Sequence, residues 1–198
     1  MSGVEEDDIE RAAAAIAAGE LVVYPTETVY GLGAAALDTS AVERVFEAKG
    51  RSRSKPLSMA VPDVGTARQY SSLSERELAF CEQFLPGPVT VVVERDSVVP
   101  DILTAGSDRV GIRVPDDEIA LTLLAETGPI TATSANVSGT GSVRRVDALD
   151  DRIRDSASVV LDAGERPGGG STVVDVAHSK VHRRGALAED VEEWLATH

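Results

Sequence analysis

The chain has 198 residues, 42% hydrophobic and 26% charged, which fits one soluble globular domain over residues 1–198 and excludes a disordered chain or a disulfide-stapled scaffold. Asp and Glu number 33 against 19 Lys and Arg, a net charge of −14, and this acidity argues against nonspecific nucleic-acid binding, which needs basic patches. The longest apolar run, residues 12–18, is too short to cross a bilayer, and no basic export signal precedes the acids Glu5, Glu6, Asp7 and Asp8, so a cytoplasmic protein away from membranes is expected.

Hydrophobic periodicity predicts an alanine-rich helix over residues 7–20, with acids in its first turn and Gly19 near its end. Leu21–Tyr24 is a short apolar run stopped by Pro25, hence a buried strand, and residues 26–36, rich in Thr and Gly, read as a loop. Ser40-Ala41-Val42-Glu43 has the form of a capping box opening a helix that ends at Lys49-Gly50. A strand is predicted over residues 57–61 and a helix over residues 74–85, stopped by Pro86-Gly87-Pro88. Residues 89–94 and 110–114 read as strands, the first with no polar face except Thr90. A helix over residues 116–126 and a strand over residues 129–133 follow, then a polar helix near residues 146–154. Strands near Val159 and Val173 and a terminal helix near residues 188–196 complete an α/β (α+β) chain, with helices covering a twisted mixed sheet.

Four polar stretches stand beyond apolar strands or at helix ends, where an open sheet places its ligands. Tyr24-Pro25-Thr26-Glu27-Thr28-Val29-Tyr30-Gly31-Leu32-Gly33 offers hydroxyls and backbone N–H groups to a polar ligand, or forms a structural turn with an N-cap. Lys49, Arg51, Arg53 and Lys55 are concentrated in an otherwise acidic chain. In an extended segment Lys49 and Arg51 face the same way, toward one anion. The helix macrodipole accounts for Lys49 but not for Arg53 and Lys55, so the stretch reads as polyphosphate-binding. Ser134 and Asn136, two apart, suit a nucleotide, although such runs also make plain turns. Gly168-Gly169-Gly170 before Ser171 permits close backbone approach to a ligand, or a flexible hairpin. Arg113 ends a buried-looking strand, where a charge has a partner or meets a ligand carboxylate. Cys81 reads as a core residue. His178 and His182 are four apart but lie in predicted strand and turn, so no metal site is expected. The residues alone give a soluble protein that binds a polyanion, and they do not give its reaction.

Six motifs in one order resemble the YrdC-like family, the threonylcarbamoyl-AMP synthases: Tyr24 to Gly33; Lys49, Arg51, Pro56 and Leu57; Pro86 to Thr90; Gly111 to Pro115; Ser134 and Asn136; and Ser171 to Asp175. The resemblance implies a YrdC-like twisted mixed sheet flanked by helices around a cationic cleft. It implies synthesis of threonylcarbamoyl-AMP and pyrophosphate from L-threonine, bicarbonate and ATP, with Mg²⁺ accompanying the ATP. A separate tRNA-modifying transferase complex would use the product, so little direct nucleic-acid binding is expected. By position, Lys49, Arg51 and Lys55 would hold the ATP phosphates, Lys49 and Arg51 serving catalysis as well. Ser134, Asn136, Arg144 and Arg183 would complete the nucleotide site, and Thr28, Arg113 and Ser171 would hold threonine.

Departures from the family pattern are Ser52 in place of a Pro, Ala60 where some archaeal members have a His, and an end soon after Gly185 that points to the short single-domain form. Two other functions stay open: a paralogue of the fold acting as a nucleotide- or RNA-binding module without synthase activity, and carbamoyl transfer. The excess of acids with only three lysines, Lys49, Lys55 and Lys180, suits a halophilic protein, because screening removes self-repulsion in high salt. The melting temperature should therefore rise between low salt and molar KCl, and a flat or falling value would refute a salt-adapted surface.

Overall fold

In the computed structural model, which describes residues 3–198, helix α1 (Glu6–Ala17) opens on a reciprocal capping box between Glu5 and Asp8. Strands β1 (Leu21–Tyr24) and β2 (Gly31–Gly33) form an antiparallel hairpin ahead of helix α2 (Thr39–Lys49). Strand β3 (Ser58–Ala60) is followed by the short helix α3 (Val64–Ala67), strand β4 (Ser71–Ser72) and helix α4 (Glu75–Phe84). Next come β5 (Val89–Arg95), the single turn α5 (Asp101–Thr104), β6 (Arg109–Arg113), α6 (Glu118–Thr127) and β7 (Ile130–Ala132). A 3-10 turn (Val146–Ala148), α7 (Asp151–Ser156), β8 (Ala157–Val160), β9 (Thr172–Asp175), β10 (Lys180–Arg183) and α8 (Ala188–Thr197) complete the chain.

Two mixed sheets result. The larger runs β10-β9-β5-β6-β3-β7, with β4 added on β5, and the smaller runs β2-β1-β8. Isolated bridges Gly31↔Ser134 and Ala35↔Ile130 stitch the segment around β2 to that around β7, and so join the sheets. Side chains alternate along a strand, so one face of the larger sheet presents Thr90, Val92, Arg109, Gly111 and Arg113. The intervening Val91, Val93, Val110 and Ile112 are buried with Phe80, Phe84 and Leu103 in one core. A second core packs Ile9, Ala12 and Ile16 of α1 against Ala120, Leu123 and Leu124 of α6. At the sheet's outer edge, β10 pairs with β9 through a register shift between Val181 and Arg183.

Several elements differ from the sequence reading. The expected loop over residues 26–36 contains β2, whose glycines lie on the Tyr24 ring; a Cβ at Gly31 would sit 2.7 Å from Tyr24 Cζ. Helix α2 is capped by Asp38, whose carboxylate accepts from Ser40 N at 2.8 Å, rather than by a Ser40 capping box. Lys49 is not in an extended segment with Arg51. It closes α2, and Gly50 turns the chain in the left-handed region at φ 57°. The polar helix near residues 146–154 is a 3-10 turn followed by the separate α7. The short α3, β4 and α5 carry no periodic signal and were not predicted. Cys81 is buried as expected, its thiol pushed up to about 12, chiefly by that burial.

After β10 the chain folds back so that Ala186 N donates to Gly170 O at 2.9 Å and Gly185 N donates to Thr172 Oγ1 at 3.0 Å. A Cβ at Gly185 would lie 2.6 Å from the backbone carbon of Ser171. Main chain cannot rotate away as a side chain does. Gly185→Ala should cost about 1–3 kcal/mol in urea unfolding, whereas Gly141→Ala, with open space around it, should be near neutral.

Candidate functional site

A cleft of about 680 Å³ lies over the exposed face of the larger sheet. Its floor is low where Gly111 sits between Arg109 and Arg113, since a Cβ there would meet Ser58 Oγ at 2.5 Å and Thr90 Cγ2 at 3.0 Å. The walls come from the loop after β1, the loop after α2, the segment after β7 and the glycine run before β9. Of the ten residues assigned by sequence, seven line this cleft: Thr28, Arg51, Lys55, Arg113, Ser134, Ser171 and Arg183.

The other three stand elsewhere. Lys49 is buried, and its ammonium donates to Ser134 O and, at 2.7 Å, to Asn136 O. In return Ser138 N donates to Lys49 O at 2.8 Å. Asn136 is likewise buried, its amide nitrogen donating to Val137 O and Thr140 O at 2.8 Å each and its carbonyl oxygen accepting from Ser134 Oγ. Lys49 and Asn136 therefore shape the turn that presents Ser134 rather than lining the cleft themselves. Arg144 is half exposed, paired with Glu165 at 2.8 Å and donating to Arg166 O. Arg53, in the same basic stretch, turns away to Glu43.

Within the cleft, Arg51 is held by its own loop, Nε donating to Lys55 O at 3.1 Å and Nη2 to Pro56 O at 2.8 Å. Across from it, Arg183 Nε donates to Ser171 O at 2.9 Å and Nη2 to Ser171 Oγ at 2.8 Å. Ser171 Oγ also lies 3.3 Å from Thr90 Oγ1. Burial, then the charges of Arg113 and Arg51, hold the Arg183 guanidinium below its ordinary value. Arg51, Lys55 and Arg183 make no ion pair among the described residues. Arg113 differs: Nη2 donates to Glu27 Oε1 at 2.7 Å and to Thr28 Oγ1 at 3.1 Å.

Sequence reasoning missed Thr90, Ser58, Arg109, Asp175 and His182, all on the lining. Alternation along β5 and β6 would have placed Thr90 and Arg109 on the face that carries Arg113. Arg109 itself is already engaged, its Nη2 donating to Val92 O at 2.6 Å and Asp175 Oδ1 at 2.9 Å. What the arrangement offers is four guanidiniums, a lysine and several hydroxyls around one cavity, two of the guanidiniums and the lysine lacking a carboxylate among the described residues. Such a site stabilises a ligand with several negative charges.

The profile of the Sua5_yciO_yrdC family, described as "Telomere recombination", matches residues 14–185. The chain belongs to this family. Relatives include proteins named threonylcarbamoyl-AMP synthase from Pyrococcus abyssi, 41% identical over 87% of this chain, and Homo sapiens, 36% identical over 85%. The chain spans 52% and 63% of their respective lengths. A solved structure described as P. abyssi Sua5 complexed with L-threonine superposes with a TM-score of 0.92 at 38% identity, covering 98% of this chain and 58% of that one. The twisted mixed sheet with flanking helices is thus the Sua5/YrdC fold.

Burial, and secondarily Arg51, pulls the Lys49 ammonium down to about 8 from its ordinary 10.5. Between about pH 8 and 10.5 the unfolded chain keeps a proton here that the folded chain has released. This group therefore makes unfolding free energy rise with pH through that window. Lys49→Met should remove that contribution, so that from pH 7.5 to 9.5 its urea midpoint gains less, or loses more, than that of the wild type. Parallel pH profiles for the two proteins would refute a buried, proton-releasing lysine.

Proposed function

We propose that this protein makes L-threonylcarbamoyl-AMP and pyrophosphate from L-threonine, bicarbonate and ATP, as a nucleotidyltransferase. The observation that carries this reading is the set of cleft cations, Arg51, Lys55 and Arg183, that have no carboxylate of their own beside an arginine, Arg113, placed for a smaller acid. It is supported by the synthase names of the relatives and by the L-threonine complex of the P. abyssi protein. The product would pass to a separate transferase that modifies tRNA.

In this reading Arg51, Lys55 and Arg183 bind the polyphosphate and Ser134 the nucleoside side, while Lys49 and Asn136 fix the turn that carries Ser134. Arg113, Thr28 and Ser171 hold the amino acid. The threonine amine attacks the carbon of bicarbonate and water leaves, giving a carbamate. A carbamate oxygen then attacks the α-phosphorus, and pyrophosphate takes the electrons of the broken P–O bond. No side chain need become covalently attached. The protein aligns the reactants and offsets charge that accumulates on the phosphates.

Among the described residues no group of three or more His, Cys, Asp or Glu is placed to hold a metal ion, and the carboxylate on the cleft lining, Asp175, is bound to Arg109 and His178. Mg²⁺ would thus enter as part of the substrate, on the phosphates of ATP.

The test is pyrophosphate release from MgATP and bicarbonate in molar KCl, with and without L-threonine. Threonine-dependent release is expected, and Arg183→Ala should lower kcat/KM for ATP by about 100-fold while the far-UV spectrum stays unchanged. Folded protein that binds ATP but releases no pyrophosphate with threonine would overturn the synthase reading.

A further inference from the structure

Besides Arg109, which is paired with the buried Asp175, the cleft cation that already has a largely buried carboxylate of its own is Arg113, in an ion pair with Glu27. Their side chains are 12% and 15% exposed. Glu27 spends Oε1 on Arg113, whereas Oε2 is shut off from solvent and accepts no hydrogen bond. A buried acceptor left unpaired is costly, so its presence beside a binding cleft calls for an explanation.

An acid docking on Arg113 must share the guanidinium with the Glu27 carboxylate. Two carboxylates on one arginine leave a net negative charge in a poorly solvated place, where charge interactions are strong. A ligand escapes this penalty if it carries a positive charge of its own next to its carboxylate. An α-amino acid does so, with its ammonium one carbon away. Arg113 then meets the ligand's carboxylate directly, and the charge of Glu27, just behind the cleft lining, acts through space on the ligand's ammonium.

We infer that Glu27 is a specificity residue which, acting with Arg113, makes this subsite select a zwitterion over a simple carboxylic acid. The inference rests on the reading that an amino acid occupies the cleft, and it adds a role for a side chain that does not itself line the cavity. It also separates two kinds of cation in one cleft. Arg51, Lys55 and Arg183, without carboxylates, accept a plain polyanion, whereas Arg113 rejects one. A phosphate group is thereby steered away from the amino-acid end.

The experiment is calorimetric titration of the full chain with L-threonine and with 3-hydroxybutanoate of the same C3 configuration, which lacks only the amino group. Wild-type protein should bind threonine at least about tenfold more tightly than the hydroxy acid. In Glu27→Gln the threonine affinity should fall by about tenfold, while that for 3-hydroxybutanoate holds or rises, so the discrimination collapses. Glu27→Asp, which keeps the charge, should retain most of it. If Glu27→Gln weakens both ligands equally, Glu27 only props Arg113 and the selectivity role is overturned. Should Glu27→Gln fail to fold, wild-type protein binding the two ligands equally overturns it as well. Wild-type protein that is folded yet binds no threonine would instead overturn the amino-acid reading together with this inference.

Discussion

A lysine ammonium buried among main-chain carbonyls ties together the parts of the molecule that form its cleft. Lys49 ends α2, and its side chain reaches the carbonyls of Ser134 and Asn136, 85 and 87 residues on. The same turn is fixed from the other side by Ala135 N, which donates to Tyr30 O at 2.8 Å. Helix, hairpin and turn thus meet at one cation without a carboxylate to neutralise it. Burying such a charge is expensive, and the lowered proton affinity of Lys49 records that cost. The return is rigidity: Ser134 is held by backbone on two sides at the mouth of the cleft.

Charge is distributed unevenly over the protein. Acids outnumber bases by 14 in the whole chain, yet the cleft lining carries Arg51, Lys55, Arg109, Arg113 and Arg183 against Asp175. The floor is a sheet face whose small residues, Gly111, Ser58 and Thr90, leave room, so the long basic side chains converge from the walls over an open space. A positive concavity within a negative surface focuses the field into the cavity, which favours a polyanion there and disfavours one on the exterior.

Much of this architecture was legible in the sequence where the signal is local. The apolar run Leu21–Tyr24, the Pro86-Gly87-Pro88 stop after α4 and the apolar strand at residues 110–114 each sit within a few residues of what they specify. What escaped depends on contacts across the chain. Strand β2 is hidden by its two glycines, which are there because the Tyr24 ring lies against them. The carbonyl partners of Lys49 were not foreseen because they are distant in sequence. Arg113 was legible as a charge in need of a partner, but nothing local said that Glu27, 86 residues earlier, already filled part of that need. Arg51 and Lys55, which line the cleft, stood out because a cluster of cations in an acidic chain is conspicuous without knowledge of the fold, whereas Arg183 was named only through the family resemblance.

The outer edge of the larger sheet has a bearing on colloidal behaviour. Strand β10 leaves one row of backbone groups without a neighbouring strand, an invitation to add another chain edge to edge. Its exposed Lys180 would ordinarily help to repel a second copy, but concentrated salt weakens repulsion between exposed charges. The register shift between Val181 and Arg183 works by shape instead, since a kinked strand four residues long offers poor pairing to a flat one at any ionic strength. Resistance to self-association at this edge is therefore geometric and survives where electrostatic protection fades.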